Sequence, residues 1–84
     1  MMTRREKLIQ DISNFQDILN MQITRENMHN SNLAMTPITE KESVASDINQ
    51  YFEDDFESFH TDDELLEYLQ YLSKLTGLSY KEQE

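Results

Sequence analysis

The chain has 84 residues, no cysteine and a formal net charge of −10, which comes from 17 acidic and 7 basic side chains. This length supports one domain with a modest core and leaves little room for a deep active-site cleft. Without cysteine there is no disulfide framework and no thiolate chemistry, and no apolar run is long enough to span a bilayer. The composition therefore favours a small cytoplasmic protein.

Helices are the expected secondary structure, because one glycine and one proline leave few turn residues for a β-meander or barrel. We predict a single all-α domain over residues 1–84, either a small three-helix bundle or a helical hairpin plus a third helix. The predicted helices span about 4–28, 38–55 and 62–76, with a loop at about 29–38 and a frayed tail at 79–84. The predicted core comprises Leu8, Ile12, Phe15, Leu19, Ile48, Phe52, Leu65, Leu69 and Leu72.

Helix 1 begins with a Thr-x-x-Glu capping box, in which the Thr3 hydroxyl accepts from the Glu6 amide and the Glu6 carboxylate accepts from the Thr3 amide. Apolar residues from Leu8 to Ile23 recur at helical spacing and form an inward-facing stripe. A second stripe, roughly opposite, comprises Ile18, Met21, Arg25 and Met28. It either packs beneath the following loop or forms a homodimer seam or partner-binding patch, for which adaptable methionine side chains are suited.

Helix 2 is expected to start near Pro37, since proline suits the first helical position. Its predicted apolar face comprises Val44, Ile48, Tyr51 and Phe52. If the helix continued, Phe56 and Phe59 would extend that face, but Asp55 would then lie on the apolar side. We therefore expect the helix to end or bend close to Asp55, and whether it continues through 53–60 stays open.

Helix 3 has clear signals at both ends. A capping box from Thr61 to Glu64 starts it, and Gly77 can take the left-handed position that ends it, with Leu78 folding back against Leu72. The buried face is predicted to comprise Leu65, Tyr68, Leu69, Leu72 and Leu75.

No residue pattern indicates catalysis, a cofactor or a metal site. His29 and His60 have no cysteine and no second histidine at ligand spacing, which favours a solvated loop position for each. The acidic run from Asp54 to Glu64 lacks the central glycine of a calcium loop. Its carboxylates are dense and mutually repelling, with no evident pocket to separate them into an acid and a base. We therefore expect a protein that is not an enzyme and needs no cofactor.

The most one-sided part of the chain is the segment 47–67, which holds nine carboxylates and no lysine or arginine. Such a surface repels nucleic acid and anionic membranes and attracts basic protein surfaces. Three of the nine, Asp62, Asp63 and Glu64, favour the positive end of helix 3. The other six have no basic i,i+4 partner, and like charges at that spacing are destabilising. We predict that these six contact a partner: Asp47, Glu53, Asp54, Asp55, Glu57 and Glu67.

Carboxylates three or four residues apart on a helix lie about 5 to 6 Å from one another, a spacing comparable to that of phosphates along a nucleic-acid strand. In size, acidity and lack of catalytic groups, the chain resembles the anti-CRISPR proteins and DNA mimics of phages and mobile elements, and acidic nuclease-immunity proteins. The resemblance implies an inhibitor that occupies a basic nucleic-acid-binding surface of a partner protein, without binding nucleic acid or membrane itself. The alternative is a small regulatory or structural protein that dimerises or docks through the second stripe of helix 1.

Overall fold

Three helices make up the fold of this computed structural model, which describes the backbone of residues 1–29 and 36–83 and the side chains of 1–26 and 40–83. They are α1 (Arg4–His29), α2 (Thr36–Glu53) and α3 (Asp62–Thr76), with no strand in either described range. The predicted all-α three-helix bundle is confirmed. Most of the predicted loop at about 29–38 lies outside the described residues. None of the three helices is both long enough and apolar enough to cross a membrane.

The long helix α1 is the centre of the bundle, because both α2 and α3 pack against it. Its 26 residues correspond to about 39 Å at 1.5 Å per residue, which accounts for most of the 45 Å long axis of the molecule. Eight of the nine predicted core residues are buried, and the exception is Phe52. The buried apolar side chains are Leu8, Ile12, Phe15, Leu19, Val44, Ala45, Ile48, Phe56, Leu65, Leu69 and Leu72.

The capping boxes predicted for α1 and α3 are both present. At α1, the Thr3 amide donates to Glu6 Oε1 at 2.8 Å and the Glu6 amide donates to Thr3 Oγ1 at 3.1 Å. The same reciprocal pair joins Thr61 and Glu64 at the start of α3. At the other end of α3, Gly77 takes φ 78°, the left-handed conformation that glycine adopts without a steric cost.

The end of α2 corrects the predicted role of Phe52. Asp55 takes φ 57°, its amide donates to the Phe52 carbonyl, and the Phe56 amide donates to the Tyr51 carbonyl. These two bonds are the Schellman pattern, so the helix ends at Glu53 although no glycine is present. The reversed chain places Phe56 in the core at 1% exposure and leaves Phe52 40% exposed.

Arg5 of α1 fixes the linker between α2 and α3. Its Nη2 donates to the carbonyl oxygens of Phe56 at 2.8 Å and Phe59 at 2.9 Å, and its Nη1 lies 3.7 Å from Asp62 Oδ1. Phe56 itself has φ 55°, which is rare for a bulky residue and needs support from its surroundings. The Arg5 guanidinium supplies part of that support, because it holds carbonyls on both sides of the turn.

The C-terminal tail, predicted to fray, instead lies against α1 over the described residues. The Tyr80 hydroxyl donates to Asp11 Oδ2 at 2.6 Å, and its ring lies edge-on to Phe15 with centroids 5.9 Å apart. Arg4 binds both carboxylate oxygens of Glu82, at 2.6 and 3.0 Å. These contacts come from a helix about 70 residues away in sequence, which no local pattern reveals.

A partly buried ion pair joins α2 to α1. Lys41 is only 8% exposed, and its Nζ lies 2.8 Å from Glu26 Oε1. The carboxylate compensates for hydration that the lysine loses on burial.

Candidate partner-binding surface

Three of the chain's seven basic side chains, Arg4, Arg5 and Lys41, form ion pairs among the described residues, and none of these pairs involves the six predicted contact carboxylates. Across the described side chains, the acidic members of these pairs are Glu26, Asp62, Asp63 and Glu82. Glu64 accepts from the Thr61 amide, and this hydrogen bond lowers the pKa of its carboxyl. These acids therefore have structural roles, as the sequence predicted for the start of α3.

All six predicted contact carboxylates are exposed, and none forms an ion pair with another described residue. Asp47 and Glu53 lie on α2, Asp54, Asp55 and Glu57 on the linker, and Glu67 on α3. Only Asp54 accepts a side-chain hydrogen bond, from Gln50 Nε2 at 3.1 Å. Exposed carboxylates without an ion-pair partner among the described residues thus occur on α2, the linker and α3, and we call these six residues the acidic path.

Six of the chain's eight aromatic side chains form one cluster on the same three segments. Tyr51, Phe59 and Tyr68 contact one another pairwise, with centroids 4.8 to 5.7 Å apart and mostly edge-to-face geometry. The aromatic cluster comprises Tyr51, Phe52, Phe56, Phe59, Tyr68 and Tyr71. It joins α2, the linker and α3, the three segments that carry the acidic path, through aromatic contacts.

A shallow groove of about 430 Å³ opens over part of this cluster. Its lining, which we call the tyrosine groove, comprises Tyr51, Ser58, Phe59, Glu64, Glu67, Tyr68 and Tyr71. This volume lies near the lower end of the range of small-molecule sites, and the groove is open to solvent. It has the size of a site for a side chain or small group and does not enclose a substrate.

The tyrosines of the groove lie in a negative, partly dry environment. Burial raises the pKa of Tyr68 well above its ordinary value, and the neighbouring Tyr51 and Asp47 raise it further. Burial likewise raises the pKa of Tyr71, together with Glu40, to which the Tyr71 hydroxyl donates at 3.3 Å. Both phenols therefore stay neutral at physiological pH and present uncharged rings beside carboxylates.

The second stripe of α1 does not form one exposed apolar face over its described side chains. Ile18 is half-buried and packs against the core, Met21 is 57% exposed, and Arg25 is exposed. The side chain of Met28 lies outside the described residues. Among the described side chains of this stripe, Met21 is therefore the exposed apolar one, and its neighbours are polar.

The remaining surface offers little for metal or acid–base chemistry. No group of three His, Cys, Asp or Glu side chains within the described ranges is arranged to hold a metal ion. His60 is exposed just before α3, and the His29 side chain is among those not described. A second groove of about 490 Å³ lies between α1 and the C-terminal tail, but Lys7 and Lys81 line it together with Asp11 and Glu82. Its charges are mixed, so it selects no ligand class.

Sequence patterns do not reveal the tyrosine groove. Helical periodicity assigns Tyr51 and Tyr68 to core faces and gives Tyr71 no role. The only available signal was the i,i+3 spacing of Tyr68 and Tyr71, which places two rings on one side of α3. Their meeting with Tyr51 and Phe59 depends on the packing of α2 and the linker, which the sequence does not display.

Comparison with known proteins found no matching protein family, no matching curated protein and no matching solved structure. Any statement about function therefore depends on the surface itself.

Proposed function

We propose that this protein is a non-enzymatic acidic binding protein that occupies a basic, nucleic-acid-binding surface of a partner protein. The observation that carries the proposal is an uneven division of the carboxylates along the chain. Several cap helices or pair with basic residues, whereas the six predicted contact carboxylates on α2, the linker and α3 are exposed and have no ion-pair partner across the described chain. Asp17 and Glu42 are also exposed without an ion pair, but they lie outside the segment 47–67.

Simple solubility does not account well for this division. A net charge of −10 exceeds the magnitude of about 2 to 8 that suffices to keep a small domain soluble. Concentrating the surplus on α2, the linker and α3 adds repulsion between neighbours. A basic partner surface would relieve that repulsion and would be attracted at long range, which speeds association.

The rigidity of the linker also supports a binding role. Asp54, Asp55 and Glu57 lie on a turn that the Schellman end of α2 and the Arg5 guanidinium hold in place. Charges on an ordered backbone lose less conformational freedom on binding than charges on a flexible tail. A fixed row of carboxylates can therefore compete with the regular phosphates of a nucleic acid for the same basic surface.

The proposal is tested by capturing partners from the producing cell at low salt and measuring their affinity by calorimetry, with and without nucleic acid. We expect nucleic acid to compete and affinity to fall steeply between 0.1 and 1 M salt, as the Debye length falls from about 10 to about 3 Å. Neutralising Glu53, Asp54 and Glu57 together should have a similar effect, mainly by slowing association.

A matched control separates position from total charge. Glu53→Gln with Glu57→Gln removes two charges from the path, whereas Asp17→Asn with Glu42→Gln removes two exposed charges from elsewhere on α1 and α2. Equal weakening by both pairs would contradict the assigned surface. If the affinity changes neither with salt nor when Glu53, Asp54 and Glu57 are neutralised, the proposal is refuted and the Met21 side of α1 is favoured as the interface.

A further inference from the structure

The tyrosine groove has a lining that an acidic surface alone does not require. Tyr51, Tyr68 and Tyr71 provide ring surface, and Glu67 on α3 and Asp47 on α2 lie beside the same rings. Among the described side chains, no lysine or arginine lines it. Aromatic faces carry negative potential, so rings and carboxylates here attract the same kind of group.

We propose that the tyrosine groove binds one arginine side chain of the protein partner, with the guanidinium plane against the tyrosine rings and its N–H edge toward Asp47 and Glu67. This inference rests on the proposed function, because it names the chemical group by which the same acidic surface recognises its partner.

Arginine fits the groove better than lysine does. A guanidinium is planar and weakly hydrated, stacks on aromatic rings, and presents several N–H donors in one plane. The compact lysine ammonium is more strongly hydrated and loses more solvation in a shallow aromatic site. Tyr71, at 40% exposure, leaves ring surface available for stacking.

The carboxylates beside the groove also favour a guanidinium over an apolar side chain. An apolar side chain in the groove would desolvate Asp47 and Glu67 without compensation, whereas an N–H donor compensates for the lost hydration.

The test uses the full chain and a blocked tripeptide with arginine between two glycines, titrated while the tyrosine ring resonances are followed by NMR. The lysine tripeptide carries a positive charge without a planar group, and the citrulline tripeptide carries a planar group without a charge. We expect the arginine peptide to shift the rings of Tyr51, Tyr68 and Tyr71, the lysine peptide to bind more weakly, and the citrulline peptide to leave them unchanged. Tyr80, docked on α1 by Asp11 and Phe15, is an internal control that should not shift.

Two matched sets of variants locate the site. Asp47→Asn with Glu67→Gln should weaken arginine binding at least about fivefold, whereas Glu53→Gln with Asp54→Asn removes the same charge outside the groove and should weaken it less. Tyr71→Leu should also weaken binding, and Tyr71→Phe, which keeps the ring, should restore most of it. Circular dichroism of each variant confirms that the helices are intact.

The outcomes separate this inference from the proposed function. Absence of ring shifts, equal shifts with lysine, or equal weakening by both charge pairs would overturn the arginine groove. Competition between the partner and its nucleic acid could still be observed in that case, and the acidic surface would then act by long-range attraction alone. Loss of that competition would refute the proposed function even if the tripeptide binds.

Discussion

Phe56 and Phe52 provide the sharpest test of the fold, because Phe52, which periodicity places in the core, is exposed, whereas Phe56 is buried. Phe56 is 1% exposed and its ring contacts Tyr51, Phe52 and Phe59. Phe56→Ala should therefore lower the free energy of unfolding by about 3 to 5 kcal/mol, the usual range for a buried phenylalanine. Phe52 is 40% exposed, so Phe52→Ala should cost only about 1 to 2 kcal/mol.

The measurement is urea unfolding of the wild type and both variants, followed by circular dichroism. A domain of 84 residues has a free energy of unfolding of about 4 to 13 kcal/mol. Phe56→Ala would therefore unfold the domain if its stability lies at the lower end of this range. Phe56→Leu retains most of the buried volume and keeps the comparison measurable in that case. If Phe52→Ala proves the more damaging change, α2 continues past Glu53 with Phe52 inward, and the Schellman end described above is wrong.

Three further predictions concern the linker, its clamp and the tail. Asp55→Gly should raise the free energy of unfolding by about 0.5 to 1 kcal/mol in urea titrations, because glycine adopts φ 57° without a steric cost; a loss would contradict the left-handed assignment. Arg5→Met should cost about 1 to 3 kcal/mol in the same assay, since two linker carbonyls lose a charged donor, and Arg5→Lys should recover only part. Burial raises the pKa of Tyr80 above its ordinary value of 10.0, so the stability from its docking is complete below about pH 10 and falls at higher pH. Unfolding curves of Tyr80→Phe should lack this part of the alkaline loss, and identical pH profiles would show that Tyr80 is not docked.

What the sequence predicts well is local. The capping boxes at Thr3 and Thr61 and the left-handed Gly77 each depend on residues within one turn, so short-range hydrogen-bonding rules are sufficient to place them. The stripe of α1 and the leucine face of α3 follow from helical periodicity for the same reason.

What the sequence does not predict depends on contacts between distant segments. Asp55 in a left-handed conformation is tolerated because Arg5, 50 residues earlier, binds the turn that follows it. Tyr80 packs against α1 because its hydroxyl donates to Asp11 and its ring contacts Phe15. The exposed, unpaired carboxylates on α2, the linker and α3 follow from the charge pattern, whereas the groove depends on aromatic contacts between α2, the linker and α3.

The distribution of charge links stability and binding, and it implies opposite responses to salt. Basic residues at the start of α1 hold the linker and tail, through Arg4 to Glu82 and Arg5 to the linker carbonyls. The carboxylates that remain repel one another on a fixed surface. Raising salt from about 0.01 to 0.1 M shortens the Debye length from about 30 to 10 Å. This screening should raise the thermal midpoint of the free protein while it weakens binding to a basic partner. If salt lowered the midpoint as well, the ion pairs of α1 would outweigh the repulsion, and the unneutralised carboxylates would no longer indicate a surface kept at a cost to stability.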